Sequence, residues 1–184
     1  MFSDDAGYAD FSMNGSITSK TPHIDAIANN GMTFTNGYVS GSVCSPSRAG
    51  LLTGRYQQRF GHECNLGDNY ANTDDALLGI PVSEITLASI LKREGYKTGM
   101  IEKWHLGEEK QFYPCNRGFD DFFGMLGGGS LYLPGKATNI IRNYTKVDYL
   151  SLPYLTDTFG DEACMFIEKN MANPFFWLFL KKDG

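Results

Sequence analysis

The residues best suited to chemistry lie in three places along the chain. Val43-Cys44-Ser45-Pro46-Ser47-Arg48 sets a thiol at the start of a predicted helix, with a cation one turn on. Both features favour an anion, because the N–H groups and dipole of a helix N-terminus attract negative charge and stabilise a thiolate. On position alone, a reactive Cys44 and a buried core cysteine beside a surface arginine are equally good readings. Asp4 and Asp5 form an acidic pair that by itself reads as a solvated turn. Adjacent side chains on a strand point opposite ways, so the chain must turn at the strand end for both carboxylates to reach one ion, and Gly7 offers such a turn. Lys103 and His105 are two positions apart, which in an extended segment places both on one side and leaves Trp104 to the core.

Those residues need elements to hold them. Thr21-Pro22 followed by Ile24, Ile27, Ala28 and Gly31 predicts a short helix with an N-cap, proline at N1, glycine at C′ and one apolar face. Ser45-Pro46 followed by Leu51, Leu52 and Gly54 repeats the punctuation, placing Cys44 just before the first turn of a second helix. Ile85, Leu87, Ala88, Ile90 and Leu91, stopped by Gly95, predict a third helix, and Tyr96 to Ile101 the strand after it, so that Lys103 and His105 fall just past the strand. Phe159, Ala163, Phe166 and Ile167 recur at helical spacing, and the run from Phe175 to Leu180 reads as a buried strand. Alternating helix and strand gives an α/β domain: a mostly parallel sheet sandwiched between helices, with the ligand crevice beyond the carboxyl ends of the strands. From about Gly124 to Leu155 no period is visible, and the segment reads as a long surface excursion.

Composition narrows the function classes. With 184 residues, the chain can bury one substantial core. A net charge of −5 with no basic stripe argues against nucleic acid as a partner. No apolar run approaches the roughly 20 residues of a membrane span, and the first residues lack the basic and apolar regions of a signal peptide. Cys44, Cys64, Cys115 and Cys164 have neither zinc-site spacing nor disulfide-scaffold density.

The string Cys44-Ser45-Pro46-Ser47-Arg48, continued by Leu52-Thr53-Gly54-Arg55, closely resembles the signature of the type I sulfatases of the alkaline-phosphatase-like superfamily. Other segments resemble the same family in the same order: Asp4-Asp5-Ala6-Gly7-Tyr8, Thr21-Pro22-His23-Ile24-Asp25, Lys103-Trp104-His105-Leu106-Gly107 and Gly118-Phe119-Asp120-Asp121-Phe122-Phe123-Gly124. Glu102 departs from the pattern, standing where many members carry glycine.

The resemblance implies that Cys44 is oxidised to formylglycine by a maturation enzyme and that Cys44, Arg48, Lys103 and His105 act in catalysis. It also implies that Asp4, Asp5 and the modified residue 44 bind Ca2+ or Mg2+, hard cations that take oxygen ligands. One hydroxyl of the hydrated aldehyde attacks sulfur, His105 with Lys103 protonates the departing oxygen, and the second hydroxyl then allows sulfate to be expelled. The expected substrate is a sulfated small molecule or glycan, and the expected location is periplasmic or secreted. Ser47 and Arg55 are expected to brace the helix and loop, and Cys64, Cys115 and Cys164 to be structural thiols. Ser130 falls at a polar pocket position, His62 reads either as a substrate contact or as a surface residue, and His23 as a surface residue. Asn14-Gly15-Ser16 and Asn143-Tyr144-Thr145 fit the glycosylation sequon, a pattern that recurs by chance.

The family also carries a further histidine, an Asp-Asn metal pair and another lysine that are not identifiable here, so residues 1–184 read as part of an N-terminal catalytic domain, incomplete at both ends. Two other functions fit the same motifs: hydrolysis of phosphate or phosphonate esters, and a non-catalytic fragment unable to complete the metal site.

Overall fold

The computed structural model describes residues 2–66, 79–135 and 139–182. The chain divides into a smaller unit built on Ser3–Tyr38 and a larger one built on Val39–Lys181. The smaller unit contains the end of strand β1 (Phe2–Asp4) and helix α1 (Pro22–Asn30). Helix α1 has the predicted punctuation, with Thr21 at the N-cap, Pro22 at N1 and Gly31 at the C-cap. None of its residues is buried. Asp25 holds its start, accepting hydrogen bonds from the Ser12 hydroxyl at 2.6 Å and the Met13 N–H at 3.0 Å.

The larger unit is layered. Its elements are α2 (Cys44–Thr53), α3 (Leu87–Arg93), β2 (Lys97–Lys103), β3 (Asp121–Met125), β4 (Ile140–Arg142), β5 (Thr145–Lys146), α4 (Leu155–Asn170) and β6 (Phe175–Lys182). Through this unit the strands run in the order β6-β2-β3-β4-β5. Strand β2 pairs in parallel with both β3 and β6, whereas β3–β4 and β4–β5 are antiparallel.

Successive residues of a strand face opposite sides, and here they divide into two cores. Met100, Phe122 and Ile141 pack with Ala49 and Leu52 of α2 and Ala88 of α3, while Ile101, Phe123 and Ile140 pack with Phe159, Ala163 and Phe166 of α4. Gly99 makes room for α4, because a Cβ there would lie 2.4 Å from the Phe166 ring. Among the described residues no helix is long and apolar enough to cross a membrane.

The expected α/β class and mostly parallel sheet are present, with several local corrections. Strand β2 ends on Lys103 rather than before it, because its pairing with β3 runs as far as Lys103 opposite Met125. Strand β6 is half-buried over residues 175–178 rather than fully buried. The stretch read as a surface excursion contains the hairpin β4–β5, whose Ile140 is fully buried. Strands of three and two residues are too short to show a period, so nothing in the pattern announces them. Residues 136–138 of that stretch lie outside the described residues. Asn143, at φ 56°, makes the hairpin turn and accepts the Phe122 N–H at 2.7 Å.

Candidate active site

Cys44 is the first residue of α2, with Val43 as the extended N-cap, one position further into the helix than the sequence reading placed it. Pro46 lies within the first turn, where a missing N–H leaves no helical bond unmade. At the other end, Gly54 closes the helix in the left-handed conformation at φ 64°. Glycines bring the preceding loop close: a Cβ on Gly50 would lie 2.2 Å from Ser40 Oγ, and one on Gly41 would meet Pro46 Cβ at 3.0 Å. Gln57 ties the same loop down, accepting from Ser40 Oγ at 2.8 Å and donating to the Ser40 carbonyl at 2.9 Å. Ser47 braces the loop as expected, donating to the Gly41 carbonyl at 2.7 Å. Arg55 faces outward and pairs with Glu84 at 2.6 Å.

Two side chains bind α2 to the carboxyl end of β2. Arg48, fully buried, donates from Nη1 to the Lys103 carbonyl at 2.5 Å. Ser45, also fully buried, donates from Oγ to the His105 carbonyl at 2.6 Å. The surface arginine of one reading is therefore excluded. Beyond the strand, the Trp104 and His105 N–H groups donate to the Met125 and Leu126 carbonyls, both at 2.9 Å, so β3 holds the turn in place. Trp104 is fully buried edge-on to Phe119, as expected of a core residue.

Lys103 and His105 are both buried, but regular strand alternation is not the reason. Glu102 lies at φ 88° and His105 at φ 57°, so the backbone leaves the extended conformation on either side of Lys103 and Trp104. Such conformations cost a non-glycine residue about 1–3 kcal/mol and persist only where the surroundings enforce them. At Glu102 the enforcement is visible, since a Cβ on the facing Gly124 would sit 1.7 Å from the Glu102 carbonyl oxygen. The Glu102 carboxylate is itself buried and accepts the Lys103 N–H at 3.3 Å. The glycine run lies against the imidazole of His105, with a Gly128 Cβ only 3.0 Å from Cε1 and Nε2. Ser130 Oγ, from the same run, is buried with no hydrogen-bond partner among the described residues. His105 Nε2 donates to the Leu66 carbonyl at 3.3 Å.

The sequence reading missed Ser45 and left His62 open between substrate and surface. The surface alternative is corrected, because His62 is buried and its Nε2 lies 2.6 Å from Ser45 Oγ. Burial holds its pKa below the ordinary histidine value, partly opposed by a hydrogen bond to the Gly79 backbone. The only signal in the sequence was the shared motif. Of the remaining cysteines, Cys64 and Cys164 are exposed thiols rather than structural ones. Cys115 is half-buried, with its pKa pushed up to about 11, chiefly by desolvation.

Cys44, Arg48, Lys103 and His105 belong to the larger unit, and Asp4 and Asp5 to the smaller. Asp4 is buried at the end of β1, and Asp5 is exposed at φ 58°. The turn needed to release the pair from strand alternation thus falls on Asp5 itself rather than on Gly7. Both offer oxygen donors alone, which suit a hard divalent cation. Among the described residues, no group of three or more His, Cys, Asp or Glu side chains is placed to hold a metal.

The charged residues gather past the carboxyl end of a parallel strand and at a helix start, the edge at which open α/β sheets take their ligands. A sulfatase family model matches residues 1–180. Mouse arylsulfatase G is 44% identical over 125 residues, covering 68% of this chain and 23% of that protein. Human N-acetylgalactosamine-6-sulfatase is 41% identical, with 98% of this chain and 38% of that protein covered. Among solved structures, Ps i-CgsB in complex with k-i-k-neocarrahexaose has a TM-score of 0.87 at 34% identity, covering 100% of this chain and 44% of that one. The chain belongs to the sulfatase family. It spans less than half the length of each of these relatives.

Proposed function

We propose that the protein containing this chain hydrolyses sulfate esters, with Cys44 matured to formylglycine and Asp4, Asp5 and residue 44 holding Ca2+ or Mg2+. The observation that carries this reading is the bonding of α2 to the end of β2. Arg48 on the Lys103 carbonyl and Ser45 on the His105 carbonyl join the helix that begins at Cys44 to the turn that bears Lys103 and His105. A bound formylglycine hydrate supplies two hydroxyls on one carbon, and the cation supplies charge that acidifies one of them. The remaining work falls to the chain itself. The Lys103 ammonium holds sulfate oxygens, the dipole at the start of α2 favours their negative charge, and Arg48 contributes a fixed positive charge behind them. His105 delivers a proton to the departing alcohol oxygen.

The substrate we favour is a sulfated glycan, in keeping with the oligosaccharide bound by Ps i-CgsB, with aryl sulfates as the simplest surrogates. Maturation calls for a formylglycine-generating enzyme, and we place the protein in the periplasm or outside the cell. The test is to produce the protein in a host that matures other sulfatases, determine the mass of the Cys44 peptide and compare turnover of sulfate and phosphate esters. Conversion of Cys44 together with sulfate-ester turnover is expected. Unconverted Cys44 in that host, or a preference for phosphate esters, would count against the reading.

A further inference from the structure

Ser45 Oγ sits at the crossing of two short contacts, 2.6 Å from the His105 carbonyl and 2.6 Å from His62 Nε2. A carbonyl oxygen only accepts, and a serine hydroxyl carries one proton. That proton is therefore committed to His105, and Ser45 Oγ presents a lone pair to the imidazole. His62 must then carry a hydrogen on Nε2, in either charge state of the ring. All the members are buried: Ser45 is 0% exposed, His62 5% and His105 6%. A buried hydroxyl bonded at both ends has one orientation, and so transmits position rather than merely filling space.

The segments joined in this way come from three separate parts of the chain. Ser45 follows Cys44 at the start of α2, His62 lies beyond the 3-10 turn after that helix, and the His105 carbonyl belongs to a residue in the left-handed conformation. The direction of that carbonyl depends on φ and ψ at His105, so an acceptor held by Ser45 also holds the backbone from which the imidazole projects. The Ser45 N–H is occupied as well, donating to Asn65 Oδ1 at 3.0 Å, which draws the segment after His62 toward the same turn of α2.

We propose that His62 and Ser45 are positioning residues for the site: His62 Nε2–H donates to Ser45 Oγ and Ser45 Oγ–H donates to the His105 carbonyl, fixing the His105 turn against the helix start that bears Cys44. The catalytic part of this inference rests on the sulfate-ester reading above, whereas the hydrogen-bond relay does not. The chain contains three histidines, His23, His62 and His105, and substitution of each in turn assigns its imidazole signals.

The experiment has two arms on the same proteins. In the first, long-range proton–nitrogen spectra of histidine-labelled wild type, Ser45→Ala and Ser45→Thr report which ring nitrogens carry hydrogen. The expected result is a slowly exchanging Nε2–H on His62. Ser45→Ala should shift both the His62 and the His105 rings while leaving His23 and the dispersed amide spectrum in place, and Ser45→Thr, which keeps the hydroxyl, should restore them. A His62 ring protonated only on Nδ1, or His62 and His105 signals indifferent to Ser45→Ala, would overturn the relay.

In the second arm, turnover is measured per formylglycine-bearing molecule. Ser45→Ala should lower kcat about tenfold or more with little change in KM, the pattern of a misdirected catalytic group, and Ser45→Thr should recover most of it. Equal kcat in Ser45→Ala and wild type would overturn the positioning role. A wild type with the relay signals but no sulfate-ester turnover would support the relay and sink the functional reading instead.

Discussion

Helices α1 and α2 carry the same local signals and meet opposite surroundings. Each has a hydroxyl residue before a proline at its start and a glycine at its end, and each is nine or ten residues long. Yet α1 buries none of its residues, whereas α2 buries seven, including the polar Ser45, Ser47 and Arg48. Punctuation makes a helix in both cases; α1 presents Asp25 to the neighbouring turn at Ser12 and Met13, whereas α2 presents fully buried side chains to the end of β2. Helix α2 thus serves a core through Ala49 and Leu52 and a second, polar set of contacts through Ser45, Ser47 and Arg48.

The sharpest way to separate the two helices is at residue 44. Cys44→Ala removes the nucleophile, and Cys44→Ser leaves a single hydroxyl that can form a sulfate ester but cannot expel it. Both should lose multiple turnover by at least about a thousandfold, equivalent to about 4 kcal/mol of transition-state stabilisation. Mass analysis of Cys44→Ser after incubation with substrate should show one added sulfate. Sustained turnover by Cys44→Ser would refute the two-hydroxyl account and leave α2 merely a well-packed helix.

The next contrast concerns stability. Arg48→Ala removes a fully buried donor from the Lys103 carbonyl and leaves a cavity, so denaturant unfolding should show a loss of about 3–5 kcal/mol. Ile27→Ala in α1, at a residue 68% exposed, should change stability by less than about 0.5 kcal/mol. Equal losses in the two variants would mean that α1 is as much a part of the packed structure as α2.

Alanine substitution inside each helix should produce effects of opposite sign. By propensity, Gly50→Ala should stabilise α2 by about 1 kcal/mol. The new Cβ would however lie 2.2 Å from Ser40 Oγ and disturb the Ser40–Gln57 bonds, so a net loss of about 1–3 kcal/mol is expected. Asn29→Ala, on an exposed part of α1, should instead gain about 0.5 kcal/mol. Thermal melts of the two variants against wild type check the signs. At the cap, Gly54→Ala has open space around its Cβ but must adopt φ 64°, costing about 1 kcal/mol.

Much of the local architecture was legible in the residues themselves. The boundaries of α1 and α2 follow from proline and glycine, the course of β2 and α4 from apolar spacing, and the family from motifs that each span only a few residues. What was not legible had a common character. The β4–β5 hairpin is too short to have a period, and the extended-strand argument that placed Lys103 and His105 on one side was undone by positive φ at Glu102 and His105. His62 remained undecided because a histidine after Gly61 looks the same whether solvent or Ser45 lies beyond it.

The sequence by itself determined the longer helices and strands and the family the chain joins, because those properties depend on neighbours within one or two turns. Only the tertiary structure decided which side chains share a site. Ser45 meets His62 across 17 positions, Arg48 reaches the Lys103 carbonyl across 55, and Ser45 reaches the His105 carbonyl across 60. No local preference encodes such separations. They arise when the sheet and the helix start are buried together, where each polar group excluded from water must find its partner wherever in the chain that partner lies.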